Sequence, residues 1–127
     1  MRGIQMKKEF TILVADRNPH VRKFLARELS LEGFKVLLAE NANKIVNGTY
    51  YTEPIDLIII DPELFDGDQD TLIKQLQNRT PMLPVVIHSF QSGDEPYSAG
   101  DGQAIFIEKR EDSIEHLKKI ANDIFQK

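Results

Sequence analysis

The chain has 127 residues, enough to bury one hydrophobic core, so a single domain over 1–127 is expected, with 1–9 as an N-terminal extension. Its 16 basic residues are interleaved with 20 acidic ones, and the net charge of −4 argues against nucleic acid as a direct partner. The absence of cysteine excludes disulfides, thiolate metal sites and a cysteine nucleophile. The apolar runs are far shorter than the ~20 residues that span a bilayer, and none resembles a signal peptide, so a cytoplasmic location without membrane contact is expected.

Short apolar runs rich in isoleucine and valine predict five β-strands. Four of them are nearly continuous, as is typical of parallel strands that helices cover on both faces. They lie at 11–15, 55–60, 84–88 and 104–107. The fifth run, 35–39, begins with a charged residue and is predicted to lie nearer an edge of the sheet.

Two helices with clear apolar faces are predicted between and after these strands. Asn18 and Pro19 have the residue types of a helix cap and a first helical residue, and Gly33 marks the end of this helix. Asp112 or Ser113 is expected to cap the last helix, whose apolar stripe is predicted to consist of Ile114, Leu117, Ile120, Ala121, Ile124 and Phe125. The apolar face of the first helix is predicted to consist of Val21, Phe24, Leu25 and Leu29.

The remaining connections are less regular. A weaker helix is predicted at 41–51 and another helix at 69–79. The segment 90–103 is rich in glycine, serine and proline, so the fourth helix is expected to be degraded to at most one turn. Strand and helix therefore alternate five times, which predicts a doubly wound α/β domain with a five-stranded parallel sheet.

Polar residues follow four of the predicted strands directly. Asp16 follows the first strand, Asp61 the third, Ser89 the fourth and Lys109 the fifth. The carboxyl ends of parallel strands meet at one edge of the sheet, where ligands bind in such folds. One carboxylate can act as a nucleophile, another can hold a divalent cation, and a hydroxyl and an ammonium group can bind phosphoryl oxygens. This combination predicts a phosphoryl-transfer centre.

Four segments carry a resemblance to a known family, in this order along the chain: ILVADRNPHVR, PIDLIIIDPELFDGD, LPVVIHS and FIEK. With them the chain resembles the receiver domain of two-component response regulators over essentially its whole length. The resemblance implies a flavodoxin-like sheet in the strand order 2-1-3-4-5. It also implies a signalling module rather than an enzyme, with at most self-phosphorylation and self-dephosphorylation. Such a module takes a phosphoryl group from a sensor histidine kinase or phosphotransfer protein and switches its contacts with a downstream protein.

The same resemblance implies roles for individual residues. Asp61 would accept the phosphoryl group, and Ser89 and Lys109 would contact it. Mg²⁺ would be held by Asp16, Asp61 and the backbone carbonyl of Glu63. The switch residues would be Ser89 and Phe106, the aromatic ring turning inward as the hydroxyl moves toward the phosphate.

Arg17 departs from the family pattern, in which a second acid follows Asp16 and binds Mg²⁺ directly. The formal charges of Asp16, Arg17, Asp61 and Lys109 sum to zero. At ~5 Å and an effective dielectric constant of about 20, a guanidinium and a dication repel each other by roughly 6 kcal/mol at most, so a weakened Mg²⁺ affinity is expected. A second hypothesis is that Arg17 bridges to Asp61 and replaces the metal. The alternative is an ordinary exposed arginine at a helix start.

Smaller departures surround the same edge of the sheet. Phe90 follows Ser89 where the family usually has a small residue, so its ring either narrows access to the phosphoacceptor or packs in the core or against a loop. Arg110 replaces the usual proline after Lys109, which predicts a shifted lysine. His88 is expected to be an ordinary hydrogen-bonded strand residue, because no zinc-type histidine spacing is present.

Three alternative functions remain open at this point. The first is a degenerate receiver that acts by binding without phosphorylation. The second is an aspartate-nucleophile phosphohydrolase, although such enzymes place an Asp two residues after the nucleophile, where this chain has Glu63. The third is a nucleotide- or flavin-binding domain, although no glycine-rich loop follows the first strand. The chain ends with its last predicted helix, so no output domain is expected within it.

Overall fold

A computed structural model describes residues 9–41, 54–64, 83–90 and 104–126. Within these ranges five strands form one sheet in the order β2-β1-β3-β4-β5, and every neighbouring pair is parallel. The strands are β1 (Thr11–Ala15), β2 (Lys35–Ala39), β3 (Leu57–Ile60), β4 (Val85–Ser89) and β5 (Ala104–Glu108). The predicted α/β fold and its strand order are confirmed.

The burial of the strands explains why their apolar runs are continuous or interrupted. Every residue of β1, β3 and β4 is buried, whereas β2 and β5 at the two edges contain exposed positions. The prediction that 35–39 lies at an edge is confirmed. Because successive side chains of a strand point to opposite faces, Leu13 and Ile58 pack in one core cluster, while Val14 and Ile59 pack in a second.

Helix α1 (Pro19–Leu31) begins as its sequence predicts. The side-chain oxygen of Asn18 accepts hydrogen bonds from two backbone N–H groups of the first turn, at 2.9 and 3.3 Å. Leu25 and Leu29 are buried in the second core cluster. Phe24 was expected on the same face, and that expectation is wrong: its side chain is 42% exposed, with the Arg27 guanidinium 5.8 Å from the ring centre.

The end of α1 is a Schellman motif. Gly33 N–H donates to Ser30 O at 2.9 Å, and Phe34 N–H donates to Leu29 O at 3.2 Å. Gly33 has φ = +101°, a backbone conformation that residues with a Cβ atom rarely adopt. The predicted helix end at this glycine is confirmed.

Replacing Gly33 with alanine is expected to lower the free energy of unfolding by about 1–2 kcal/mol. Nothing lies within 4 Å of the added Cβ atom, so the cost arises from the positive φ alone. Urea denaturation of Gly33→Ala beside Gly33→Asn measures this effect, because asparagine tolerates positive φ better and is expected to cost less. An alanine variant as stable as the natural chain would contradict this account.

Helix α2 (Ser113–Phe125) packs on the same face of the sheet as α1. Leu117 and Ala121 are buried in the second core cluster, as the apolar stripe predicts. Asp112 stands at the N-cap, but its side chain makes no capping hydrogen bond. At the far end of the helix the rings of Phe10, Phe34 and Phe125 form a cluster with centroid distances of 5.2–6.0 Å.

Three predicted segments lie almost entirely in parts of the chain that the structure does not describe. The predicted helices at 41–51 and 69–79 and the predicted loop at 90–103 lie, apart from Asn41 and Phe90, outside the described residues. Neither α1 nor α2 combines the length and the apolar character that crossing a membrane requires.

Candidate functional site

Asp16 and Asp61 lie side by side, one residue beyond the ends of β1 and β3. The hydrogen-bond ladder of the sheet continues through them, since Asp16 N–H donates to Ala39 O at 3.1 Å and Asp61 N–H donates to Ala15 O at 2.8 Å. Their side chains are 2% and 3% exposed. The sequence prediction that the two acids meet at one edge of the sheet is therefore matched by their placement.

Lys109 pairs with both acids at once. Its ammonium nitrogen lies 3.0 Å from Asp16 Oδ2 and 3.3 Å from Asp61 Oδ2. Its backbone N–H donates to Ser89 O at 2.7 Å, which ties the end of β5 to the end of β4. The lysine therefore reaches the acid pair although Arg110, and not proline, follows it. Two buried carboxylates thus share one buried cation.

The remaining oxygens of the two acids accept backbone hydrogen bonds. Asp16 Oδ1 accepts from Asn18 N–H at 2.9 Å, and Asp61 Oδ1 accepts from Glu63 N–H at 3.0 Å. The second contact is made in the 3₁₀ turn Pro62–Leu64, which directly follows Asp61. Burial raises the pKa of the Asp16 carboxyl above its usual value, although the Asn18 N–H group and Lys109 both favour the ionised form.

Arg17 extends from the end of β1 across to the end of β3. Its Nε atom lies 3.8 Å from Asp61 Oδ2, and its Nη2 atom forms an ion pair with Glu63 Oε1. The arginine side chain is 58% exposed while Asp61 is 3% exposed, so the guanidinium lies on the solvent side of the buried carboxylate. This geometry agrees with the hypothesis that Arg17 bridges to Asp61.

The other predicted site residues surround this centre. Ser89 is fully buried at the end of β4, and Phe106 on β5 is half-buried against the first core cluster. Phe90 is 68% exposed, so of the predicted alternatives its packing in the core is wrong. The centre of that ring lies 5.1 Å from the Lys109 ammonium, a cation–π distance. The phenyl ring thus flanks the lysine at the mouth of the site.

His88 occupies a buried position behind the site. Ser113 Oγ donates to Arg110 O at 2.8 Å, so His88 Nε2–H donates to Ser113 Oγ at 3.0 Å. Among the described residues, Nδ1 of His88 has no hydrogen-bond partner, so the ring is only half satisfied. Burial lowers the pKa of His88 to about 4, and the nearby Lys109 ammonium acts in the same direction. The imidazole is therefore neutral at pH 7.

Mg²⁺ requires an octahedron of carboxylate, carbonyl and water oxygens. Both oxygens of Asp16 and of Asp61 already accept from N–H groups or the Lys109 ammonium. Glu63 is paired with Arg17. Within the described ranges, no three acidic or histidine side chains are grouped as metal ligands. Because the Arg17 guanidinium is paired with Glu63 and lies 3.8 Å from Asp61, the side chains do not fit a divalent ion.

A family model described as the response regulator receiver domain matches residues 12–122. The chain belongs to this family. It is thus a receiver domain of two-component signalling, as the sequence segments predicted. The response regulator GtcR of Aneurinibacillus migulanus is 33% identical over 113 residues, which cover 87% of this receiver and 46% of that protein. The receiver thus spans about half the length of this relative.

Solved structures share the fold of this receiver. A response regulator receiver protein from Sinorhizobium medicae has a TM-score of 0.79 at 22% identity, covering 94% of this chain and 96% of that one. The regulator TrrA from Thermotoga maritima, solved in complex with Mg²⁺ and beryllium fluoride, has a TM-score of 0.76 at 22% identity, with 91% and 98% covered. The beryllium-fluoride-activated DrrB receiver domain has a TM-score of 0.78 at 16% identity, covering 94% of this chain and all of that one.

Two features of the site were missed by the sequence reasoning. The family resemblance implied a role only for the backbone carbonyl of Glu63, yet its side-chain carboxylate pairs with Arg17. The opposite charges of these residues, each one or two positions after a site aspartate, were the available signal. The contact of His88 with Ser113 joins positions 25 residues apart and had no signal in the sequence.

Proposed function

We propose that this receiver accepts a phosphoryl group on Asp61 from a histidine kinase or phosphotransfer protein, and that the modified domain changes its contacts with a downstream protein. The observation that carries the proposal is the placement of the Asp61 carboxylate at the end of β3, 3.3 Å from the buried ammonium of Lys109. Receiver domains are generally not true enzymes, and no catalytic turnover of another substrate is proposed.

The contacts of Asp61 support a nucleophilic role. The Glu63 N–H group holds one carboxylate oxygen, so the plane of the carboxylate is fixed before any donor arrives. Lys109 supplies a positive charge where negative charge develops on the transferred group, which is the main way proteins assist phosphoryl transfer. Ser89 and Phe106 are proposed to follow the phosphoryl group as its hydroxyl contact and its aromatic switch.

The proposed step is an in-line transfer. A carboxylate oxygen of Asp61 attacks the phosphorus atom of a phosphohistidine, and an O–P bond forms as the N–P bond breaks. The imidazole nitrogen of the donor keeps the electron pair and takes up a proton from solvent. The product is an aspartyl phosphate, and no oxidant or further reactant is needed.

A degenerate receiver that works by binding alone is the second candidate, and one observation favours it. Both oxygens of Asp61 are already paired, with the Glu63 N–H group on one side and with Lys109 and Arg17 on the other. These contacts hold the carboxylate in place without a phosphoryl group. The two candidates differ in whether Asp61 can be modified at all.

Intact-mass measurement after incubation with acetyl phosphate distinguishes the two candidates. The natural chain is expected to gain the mass of one phosphoryl group, and Asp61→Asn is expected to gain none, because the amide is not a nucleophile for phosphorus. Asp123→Asn is the matched control, since Asp123 is exposed on α2 and the same chemical change there leaves the site intact. Circular dichroism verifies that all three proteins are folded.

Two results would contradict phosphorylation at Asp61. One is an equal gain of mass in the Asp61→Asn variant, which would place the phosphoryl group elsewhere. The other is no gain in the natural chain with both acetyl phosphate and a phosphohistidine protein as donors, which would favour the degenerate receiver.

A further inference from the structure

We propose that the Arg17 guanidinium, held by Glu63, is the resident cation of this acid cluster and takes the place of a divalent ion. Arg17 and Glu63 thus form a built-in counter-ion pair, and Asp61 accepts its phosphoryl group without bound metal. The second statement rests on the function proposed above; the first does not.

The position of the guanidinium carries this inference. Arg17 lies 3.8 Å from Asp61 and is ion-paired with Glu63. Its guanidinium lies on the solvent side of the buried Asp61 carboxylate. That is the side from which an ion or a phosphoryl donor has to reach Asp61. A cation tethered to the chain is present at a fixed ratio of one per site and does not dissociate.

The charges at the site make a second cation unfavourable. Asp16, Asp61 and Glu63 carry three formal negative charges, and Lys109 and Arg17 carry two positive ones. Only one net negative charge remains, and the oxygens of the two buried acids already accept hydrogen bonds or ion pairs. A dication would have to displace the guanidinium and strip these donors from the oxygens that it binds.

Glu63 acts as a positioning residue for Arg17. Its side chain is 33% exposed and lies in the turn after Asp61, so it anchors the guanidinium beside the carboxylate and not over α1. The anchored guanidinium is 58% exposed, so it remains within reach of phosphoryl oxygens, to which its N–H groups donate, while Glu63 holds it in place. The guanidinium then balances part of the charge that the phosphoryl group brings.

Metal binding tests the inference without reference to phosphorylation. Isothermal titration with Mg²⁺ and Mn²⁺ is expected to show no saturable site in the natural chain. It is expected to show one site in Arg17→Asp, at least tenfold tighter than any binding by the natural chain, and a weaker one in Arg17→Ala. Arg27→Asp is the matched control, since Arg27 is exposed on α1 away from the site and its variant is expected to behave as the natural chain.

A saturable Mg²⁺ site in the natural chain, as tight as that of Arg17→Asp, would overturn the inference. So would an Arg27→Asp variant that gains the same site, because the effect would then reflect net charge alone. Because the Arg17 side chain is exposed, both variants are expected to fold. If Arg17→Asp does not fold, the Mg²⁺ titration of Arg17→Ala tests the inference in its place.

Phosphorylation with and without chelator separates this inference from the proposed function. The natural chain is expected to gain one phosphoryl group at the same rate in EDTA and in Mg²⁺, whereas Arg17→Asp is expected to require Mg²⁺. Modification of the natural chain only with Mg²⁺ would overturn the inference and leave the proposed function standing. No modification under either condition, with metal excluded as expected, would refute phosphoryl acceptance and support Arg17 as the resident cation.

Discussion

Replacing Lys109 with methionine is expected to lower the free energy of unfolding by about 3–5 kcal/mol at pH 7. The ammonium group lies 3.0 Å from Asp16 and 3.3 Å from Asp61, and the two carboxylates are almost completely buried. Without the lysine, two negative charges would remain next to each other in the interior, with the exposed Arg17 guanidinium 3.8 Å from Asp61 as a partial counter-ion. Urea denaturation followed by circular dichroism measures the loss.

Two further variants show whether the loss has this cause. Lys119→Met removes an exposed lysine that pairs with Asp123 on the helix surface, and it is expected to change stability little. Adding Asp16→Asn to Lys109→Met is expected to recover a large part of the loss, because one of the two adjacent buried negative charges is then removed. The loss should also shrink at pH 5, where a buried carboxyl takes up a proton more readily. A Lys109→Met variant as stable as Lys119→Met would contradict this account.

Acidification is expected to destabilise the fold through His88 by about 3 kcal/mol once the pH falls below 4. Burial lowers the pKa of this histidine from 6.5 to about 4. The unfolded chain therefore binds the proton first, at pH values near 6.5, while the folded chain binds it only near 4. The stabilising contribution is complete above pH 6.5, has fallen by about 2 kcal/mol at pH 5, and is lost as the pH passes through 4.

The pH dependence of a His88→Gln variant isolates this effect from that of the carboxylates. The variant is expected to lose about 2 kcal/mol less stability than the natural chain between pH 7 and pH 5. His116→Gln is the matched control, because His116 is exposed on α2, and it is expected to follow the natural chain. Parallel curves for the natural chain and His88→Gln would show that His88 takes up its proton equally in the folded and unfolded states.

The sheet and its strand order could be predicted from the sequence, because a strand that is buried on both faces has a continuous apolar run. The runs that became β1, β3 and β4 are buried at every position, so their pattern was unambiguous. The two ends of α1 could be predicted equally well. Few residue types can cap a helix with their side chain as Asn18 does, and few adopt a positive φ as Gly33 does. The approach of Asp16, Asp61 and Lys109 then followed from the parallel topology.

The positions of side chains at the rim of the site were harder to predict from the sequence, because they depend on competing contacts of similar energy. Arg17 could point to solvent or to an acid, and only its pairing with Glu63 and Asp61 distinguishes the two. Phe24 has helical spacing that matches the buried face, yet it lies where the face meets solvent. Phe90 could narrow access to Asp61 or pack away from it, and the contact of its exposed ring with the Lys109 ammonium had no signal in the sequence.

A crystal structure grown at high Mg²⁺ concentration tests the central claim most directly, since the position of one side chain decides it. We expect the Arg17 guanidinium to stay on Glu63, with its Nε atom about 3.8 Å from Asp61 Oδ2, and no ion between Asp16 and Asp61. An octahedral Mg²⁺ bound to Asp61 and the backbone carbonyl of Glu63, with Arg17 turned away to solvent, would contradict the account.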